Sequence, residues 1–226
     1  MKKTLSTEQI ARMVDISAVK SDSATPEIEK IIEGAIKHNF ICVFAMPSFT
    51  KMVVDRLADY PSIKVGGIVG FPSGGETSSA KVFQAKELIE IGCDEVDMVI
   101  NVGKLKSGLL DEVLADIKAV REVTRSVIFK VIMEVALLTD EEIQTASKLI
   151  LEAGADFVKT GTGWAGATTM HHVKLIKESV GDKILLKVAG GVRDLDTLLE
   201  MEAAGVSRFG IGHASALKIM EDAANR

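Results

Sequence analysis

Tryptophan and tyrosine occur once each in this chain of 226 residues, proline four times and cysteine twice. Two cysteines, Cys42 and Cys93, do not make a disulfide framework, so a reducing cytoplasm is the expected compartment. No apolar run is long enough to span a membrane, and the opening Met-Lys-Lys-Thr-Leu-Ser-Thr-Glu lacks the apolar core of a signal peptide. Charge of neither sign gathers into a block. A net charge of −5 spread along the chain argues against a nucleic-acid partner. With no Pro/Ser-rich linker, one domain spanning residues 1–226 is expected.

What is present is ample core material, 47% apolar with 26% charged residues, laid out as strand then helix, repeated. Strands are expected at 14–19, 40–45, 63–69, 94–100 and 127–135, then around Lys159, around Lys187 and at 208–211. The first long helix is read with Thr25 as its cap, Pro26 at its first position, and Ile28, Ile31, Ile32, Ala35 and Ile36 on one face. Further helices are expected at 48–59, 79–91 and 109–123. A capping box of Thr139 and Glu142 opens the next, which stops at Gly154. Helices at 169–180, at 195–204 and from about Ala214 complete the pattern. Eight β/α units without a break favour an α/β fold of the (β/α)8 TIM-barrel type. A doubly wound open sheet is the alternative. It usually has fewer strands, and Gly-Thr-Gly-Trp-Ala-Gly-Ala at 161–167 matches a dinucleotide fingerprint poorly, because no acidic residue follows at the expected distance.

Two strands carry a lysine just before glycines: Asp-Phe-Val-Lys-Thr-Gly-Thr-Gly at 156–163 and Leu-Leu-Lys-Val-Ala-Gly-Gly-Val-Arg at 185–193. Burial disfavours an ammonium and lowers its pKa, and only a neutral amine attacks a carbonyl. One such lysine is more often structural; two on adjacent strands point to chemistry. Three helix ends repeat one phrase, Gly92-Cys-Asp-Glu-Val-Asp97, Gly154-Ala-Asp-Phe-Val-Lys159 and Gly205-Val-Ser-Arg-Phe-Gly210. Barrel interiors fill in layers from alternate strands, so Asp97 and Lys159 should share a level, with Gly210 leaving room beside them. Lys187 comes from the intervening strand, half a step displaced and within reach. An amine nucleophile, a second cation that keeps it neutral and a carboxylate suit iminium chemistry on an aldehyde or ketone. Lys130 and Glu134 share parity on strand five and are read as a supporting buried pair, with Asp15 as a further candidate.

Gly190-Gly191 follows strand seven, and Gly210-Ile-Gly212 ends strand eight. They are either plain tight turns or an anion cup of backbone N–H groups, with Arg193 in reach; the cup is preferred at these two positions. Metal is not expected: His38 ends a helix, and the adjacent His171 and His172 face different ways. A pyridoxal-phosphate protein would also pair a Schiff-base lysine with a phosphate cup, but the second lysine fits a free-carbonyl substrate better, so no cofactor is expected. A catalytically silent sugar-phosphate sensor is a third reading, against which the retained lysines and Asp97 argue. Composition is compatible with a homo-oligomer as with a monomer.

From Asp15 to the last helix these residues resemble the deoxyribose-phosphate aldolase family, class I aldolases on a (β/α)8 barrel. The resemblance rests on Asp-Glu-Val-Asp-Met-Val-Ile-Asn at 94–101, Gly-Ala-Asp-Phe-Val-Lys-Thr at 154–160 and Lys-Val-Ala-Gly-Gly-Val-Arg at 187–193. Gly-Phe-Pro-Ser-Gly at 70–74 and Glu-Val-Ala-Leu-Leu-Thr at 134–139 support it. It implies reversible cleavage of 2-deoxyribose 5-phosphate to acetaldehyde and glyceraldehyde 3-phosphate. It further implies Lys159 as the Schiff-base lysine, Lys187 depressing its pKa, and Asp97 shuttling protons through a water. Gly190, Gly191, Val192 and Arg193 would surround the phosphate, with Gly210 opposite. Gly161 stands where the family usually has serine, Asp15-Ile-Ser17 where it has Asp-His-Thr, Phe44-Ala-Met46 where a shorter Asn-containing stretch precedes Pro47, and Gly212-His213 where a serine pair holds phosphate. His213 offers either a phosphate ligand when protonated or a contact to a different acceptor aldehyde.

Overall fold

The computed structural model describes residues 5–226. In chain order the elements are α1 (Thr7–Ala11), β1 (Val14–Ala18), α2 (Thr25–His38), β2 (Cys42–Ala45), α3 (Pro47–Leu57), β3 (Lys64–Val69), α4 (Ser78–Ile91) and β4 (Glu95–Val99). There follow α5 (Val102–Lys106), α6 (Leu110–Val123), β5 (Ile128–Ile132), a 3₁₀ turn (Val135–Leu137), α7 (Asp140–Glu152) and β6 (Phe157–Lys159). The chain ends with α8 (Met170–Val180), β7 (Leu185–Ala189), α9 (Leu195–Ala203), β8 (Arg208–Gly212) and α10 (His213–Ala224). All eight strands are parallel and close into a barrel in sequential order. Among the described residues no helix is long and apolar enough to cross a membrane.

The capping box of α7 forms as expected, Thr139 and Glu142 each satisfying the other's backbone N–H. The expected cap of α2 does not: Thr25 is its first residue, and Ala24 occupies the cap position without a side-chain bond. The strands are shorter than the apolar runs. Asp94 and Asp156 turn back to accept the backbone N–H of Val65 (2.9 Å) and Phe129 (2.8 Å) on the preceding strands. Those aspartates thus tie neighbouring strands together at the barrel's N-terminal rim. Two short helices, α1 and α5, go beyond the expected pattern; α1 carries its own capping box of Ser6 and Gln9.

The strand registers place inward residues at four levels, each level drawn from alternate strands. Lowest lie Cys42, Glu95, Phe157 and Arg208. Next come Asp15, Gly66, Lys130 and Lys187, then Phe44, Asp97, Lys159 and Gly210. Ser17, Ile68, Ile132 and Ala189 face the C-terminal mouth. Barrels of this kind usually fill their middle with branched apolar residues. Here the apolar packing sits between sheet and helices, where Ile28, Ile32, Val96, Ile117 and Ile143 are fully buried, and the barrel's own interior is charged.

Candidate active site

Asp97, Lys159 and Gly210 share one level, as the repeated phrase implied, and Lys187 stands one level below. A Cβ at position 210 would lie 2.9 Å from that of Ala189 and 3.5 Å from Lys187 Cε, so the glycine keeps space beside the lysine. Lys159 and Lys187 both donate to Asp97 Oδ2, each at 2.8 Å. Lys130 donates to the other oxygen, Oδ1, at 3.0 Å and also meets Glu95. Lys187 lies 2.5 Å from Asp15 Oδ2, and Arg208 joins Asp15 to Glu95. The Phe44 ring lies under the ammonium groups, 4.1 Å from Lys187, 5.3 Å from Lys130 and 5.5 Å from Lys159. That ring has room only because residue 66 is glycine; a Cβ there would fall 2.1 Å from it.

This cluster holds four cations, Lys130, Lys159, Lys187 and Arg208, against three carboxylates, Asp15, Glu95 and Asp97. All are nearly or fully buried, and one positive charge is uncompensated. Losing a proton makes the group neutral, and Lys159 is the most exposed of the three lysines, 6% against 1% for Lys187 and 0% for Lys130. Burial lowers its pKa first; Lys187 and Lys130 press the same way, against the pull of Asp97, and the amine titrates at about 8. Roughly a tenth of it is therefore neutral at pH 7, about 300-fold more than for a lysine at its ordinary 10.5. Burial works against charge on Lys130 too, yet Asp97, Glu95 and Asp15 outweigh it and hold that pKa up. Asp97 would be raised by burial, but Lys130, Lys159 and Lys187 keep it well below the usual carboxylate range. Burial, reinforced by Glu95 and Asp15, pushes the Cys42 thiol well up and leaves it protonated.

Lys159 and Lys187 open into a cavity of about 790 Å³ at the C-terminal mouth. One side is glycine-rich and polar: Gly190, Gly191, Val192 and Arg193 after β7, and Gly210, Gly212, His213 and Ser215 from β8 into α10. Gly190 (φ 86°) and Gly191 (φ 95°) both need the left-handed region, which explains the residue type. The other side is apolar, with Phe44, Ile68, Phe71 and Trp164. The structure therefore gathers every residue expected of a phosphate cup around one mouth.

One expected pair does not form. Glu134 turns away from Lys130, because its backbone sits in the left-handed region (φ 60°, ψ 63°) and breaks the parity of β5. Its carboxylate accepts instead from the backbone N–H of Thr162, 3.2 Å to each oxygen, and from the Thr162 hydroxyl. Arg208, Glu95 and Phe44 belong to the charged cluster and were not singled out by sequence reasoning. The signal existed for two of them: Arg208 and Glu95 lie two residues before Gly210 and Asp97 and so point the same way. Asp15, Cys42 and Glu95 hold potential metal-ligand atoms within 4.8 Å of one another, but Lys130, Lys187 and Arg208 already occupy both carboxylates. The donor set is suited to an ion network and poorly suited to a metal.

The family described as DeoC/LacD family aldolase matches residues 9–221. The deoxyribose-phosphate aldolase of Sinorhizobium medicae (strain WSM419) is 44% identical over 222 residues, covering 98% of this chain and 90% of that one. That of Staphylococcus carnosus (strain TM300) is 43% identical over 201 residues, covering 88% and 91%. The solved structure of the aldolase QR15 superposes with a TM-score of 0.89 at 35% identity, covering 96% of each chain.

Proposed function

The chain belongs to the DeoC/LacD family of aldolases, and from that membership we propose its reaction and the part each side chain takes. The reaction is reversible cleavage of 2-deoxyribose 5-phosphate to acetaldehyde and glyceraldehyde 3-phosphate. The neutral amine of Lys159 attacks the aldehyde carbon of the open-chain sugar, and the carbinolamine loses water to leave an iminium. The C3 hydroxyl then gives its proton, through a water, to Asp97 beside Lys187. The C2–C3 bond breaks, its electron pair moves toward the iminium nitrogen, and glyceraldehyde 3-phosphate departs from an enamine. Return of the proton to C2 and hydrolysis by water release acetaldehyde and restore Lys159.

Lys187 has two tasks: its charge keeps Lys159 prone to deprotonation, and its contact with Asp97 Oδ2 remains when Lys159 becomes an imine. Lys130, Arg208 and Asp15 hold that pair in place from below. The phosphate is held by backbone N–H groups at Gly190–Val192, by Arg193 and by the α10 N-terminus at Gly212-His213. Two buried free thiols, Cys42 and Cys93, suit a reducing cytoplasm.

The observation that carries this reading is the sharing of one carboxylate oxygen by two buried lysines at an open mouth. Acetaldehyde release, compared across 2-deoxyribose 5-phosphate, free 2-deoxyribose and other phosphorylated aldols, tests it. The phosphorylated deoxy sugar is expected to be cleaved fastest. Preference for another aldol would reassign the acceptor end, where His213 replaces the family's usual serine; no release from any aldol would overturn the reading.

A further inference from the structure

Trp164, the sole tryptophan, is nearly half exposed yet held at three points. Its indole Nε1 donates to Val19 O at 3.2 Å, and its ring meets Phe71 edge-on, with centroids 5.9 Å apart and planes at 89°. Its backbone N–H donates to Thr162 Oγ1 at 3.0 Å. In the ring of eight strands β6 faces β2; Val19 follows β1 and Phe71 follows β3, the two neighbours of β2. The side chain thus leaves one wall of the barrel and ends against the opposite one. It lies across the mouth as a crossbar.

The crossbar divides the opening. On one side are the glycine-rich loops after β7 and β8; on the other are the loops after β4 and β5. Among the described residues, none between 72 and 158 lines the cavity that holds Lys159, so that second side is closed to it. A chain of contacts sets the bar. Thr162 is fastened to Glu134 through its backbone N–H and its hydroxyl, and that hydroxyl oxygen in turn accepts from Trp164. Glu134 reaches this position from a left-handed backbone that non-glycine residues adopt only under constraint. It is buried, and none of the ion pairs among the described residues involves it, so its carboxylate is committed to the Thr162 loop. Gly161 leaves it space: a Cβ there would come 2.8 Å from Glu134 Oε1.

We infer that Trp164 is the residue that limits the size of the acceptor aldehyde, and that Glu134 is a positioning residue acting on it through Thr162. The inference deepens the aldolase reading and rests on it. An acceptor must fit between the crossbar and the β7–β8 loops, so an aldehyde branched beside its carbonyl meets the indole, while acetaldehyde at Lys159 is small enough to be indifferent to it.

The test uses the full chain with Trp164→Ala, Trp164→Phe, Thr162→Ser, Thr162→Val and Glu134→Gln. Aldol addition of acetaldehyde is measured with glyceraldehyde 3-phosphate and with a branched aliphatic aldehyde as acceptors, and acetaldehyde trapping by borohydride is read in parallel. Trp164→Ala is expected to raise the kcat/KM ratio of branched over phosphorylated acceptor by about tenfold or more, the scale on which pocket-size discrimination operates. Trp164→Phe, which keeps the ring contact with Phe71 but loses the bond to Val19, should give a smaller rise. Glu134→Gln and Thr162→Val should move the ratio the same way and shift the emission of the sole tryptophan to the red, whereas Thr162→Ser should restore both. An unchanged ratio in Trp164→Ala, with acetaldehyde still trapped, overturns the inference alone. Failure of the unsubstituted protein to trap acetaldehyde overturns the aldolase reading beneath it.

Discussion

Lys159 and Lys187 are direct partners across β6 and β7, and their ammonium groups converge on a single carboxylate oxygen, Asp97 Oδ2. Two like charges held this close to one acceptor inside a barrel cannot both be comfortable. The pKa of the more open one, Lys159, is lowered to about 8, and that asymmetry is what the proposed amine nucleophile rests on.

Replacing Lys187 by methionine removes a positive neighbour from Lys159. The Lys159 pKa should then rise above about 8, so the midpoint of imine formation moves to more alkaline pH. Trapping of acetaldehyde at pH 7 is expected to fall about tenfold for each unit of that rise. Lys187→Arg, which keeps the charge, should move the midpoint less. A midpoint unchanged in Lys187→Met would show that Lys187 has no part in lowering the Lys159 pKa.

Asp97→Asn acts with the opposite sign on the amine. The Asp97 charge holds the Lys159 pKa up, so its loss should carry the midpoint below 8 while turnover drops for want of the proton carrier. Three buried ammonium groups lose their shared partner, and a stability loss of roughly 3–5 kcal/mol is expected by chemical denaturation. In the parent protein Asp97 and Asp15 have depressed pKa values. Their stabilisation is therefore complete above the ordinary carboxylate value of about 3.9 and is lost as pH falls through their lower folded values. A denaturation series between pH 6 and pH 2 checks the sign, with the loss expected only below about pH 4.

Arg193→Ala should raise KM for 2-deoxyribose 5-phosphate about tenfold through loss of a charge-assisted contact, with a much smaller effect on free 2-deoxyribose. Steady-state kinetics on the two sugars separate this from a general disturbance of the mouth. Equal effects on both would remove Arg193 from the phosphate cup.

Much of this site was legible in the chain because strand geometry is periodic. Equal spacing from three helix-ending glycines puts Asp97, Lys159 and Gly210 at one level, and the registers place them there. The same parity extended two residues back reaches Glu95 and Arg208, which lie inside the repeated phrases at 92–97 and 205–210. The place of Phe44 was not legible, since an aromatic residue in an apolar strand carries no sign that Gly66, twenty-two positions on, opens the interior to its ring. Glu134 was singled out with the wrong partner, because its direction depends on a left-handed backbone, which a pattern of alternating side chains cannot convey. Helices α1 and α5, five residues each, are too short to show periodicity.

The most direct measurement is borohydride trapping of acetaldehyde between pH 6 and pH 10, with the adduct located by peptide mass mapping. A neutral amine on Lys159, favoured by burial and by Lys187, gives an adduct on Lys159 whose rate of formation rises through a midpoint near pH 8. An adduct on Lys187 or elsewhere, or a midpoint near the ordinary lysine value of 10.5, would contradict it.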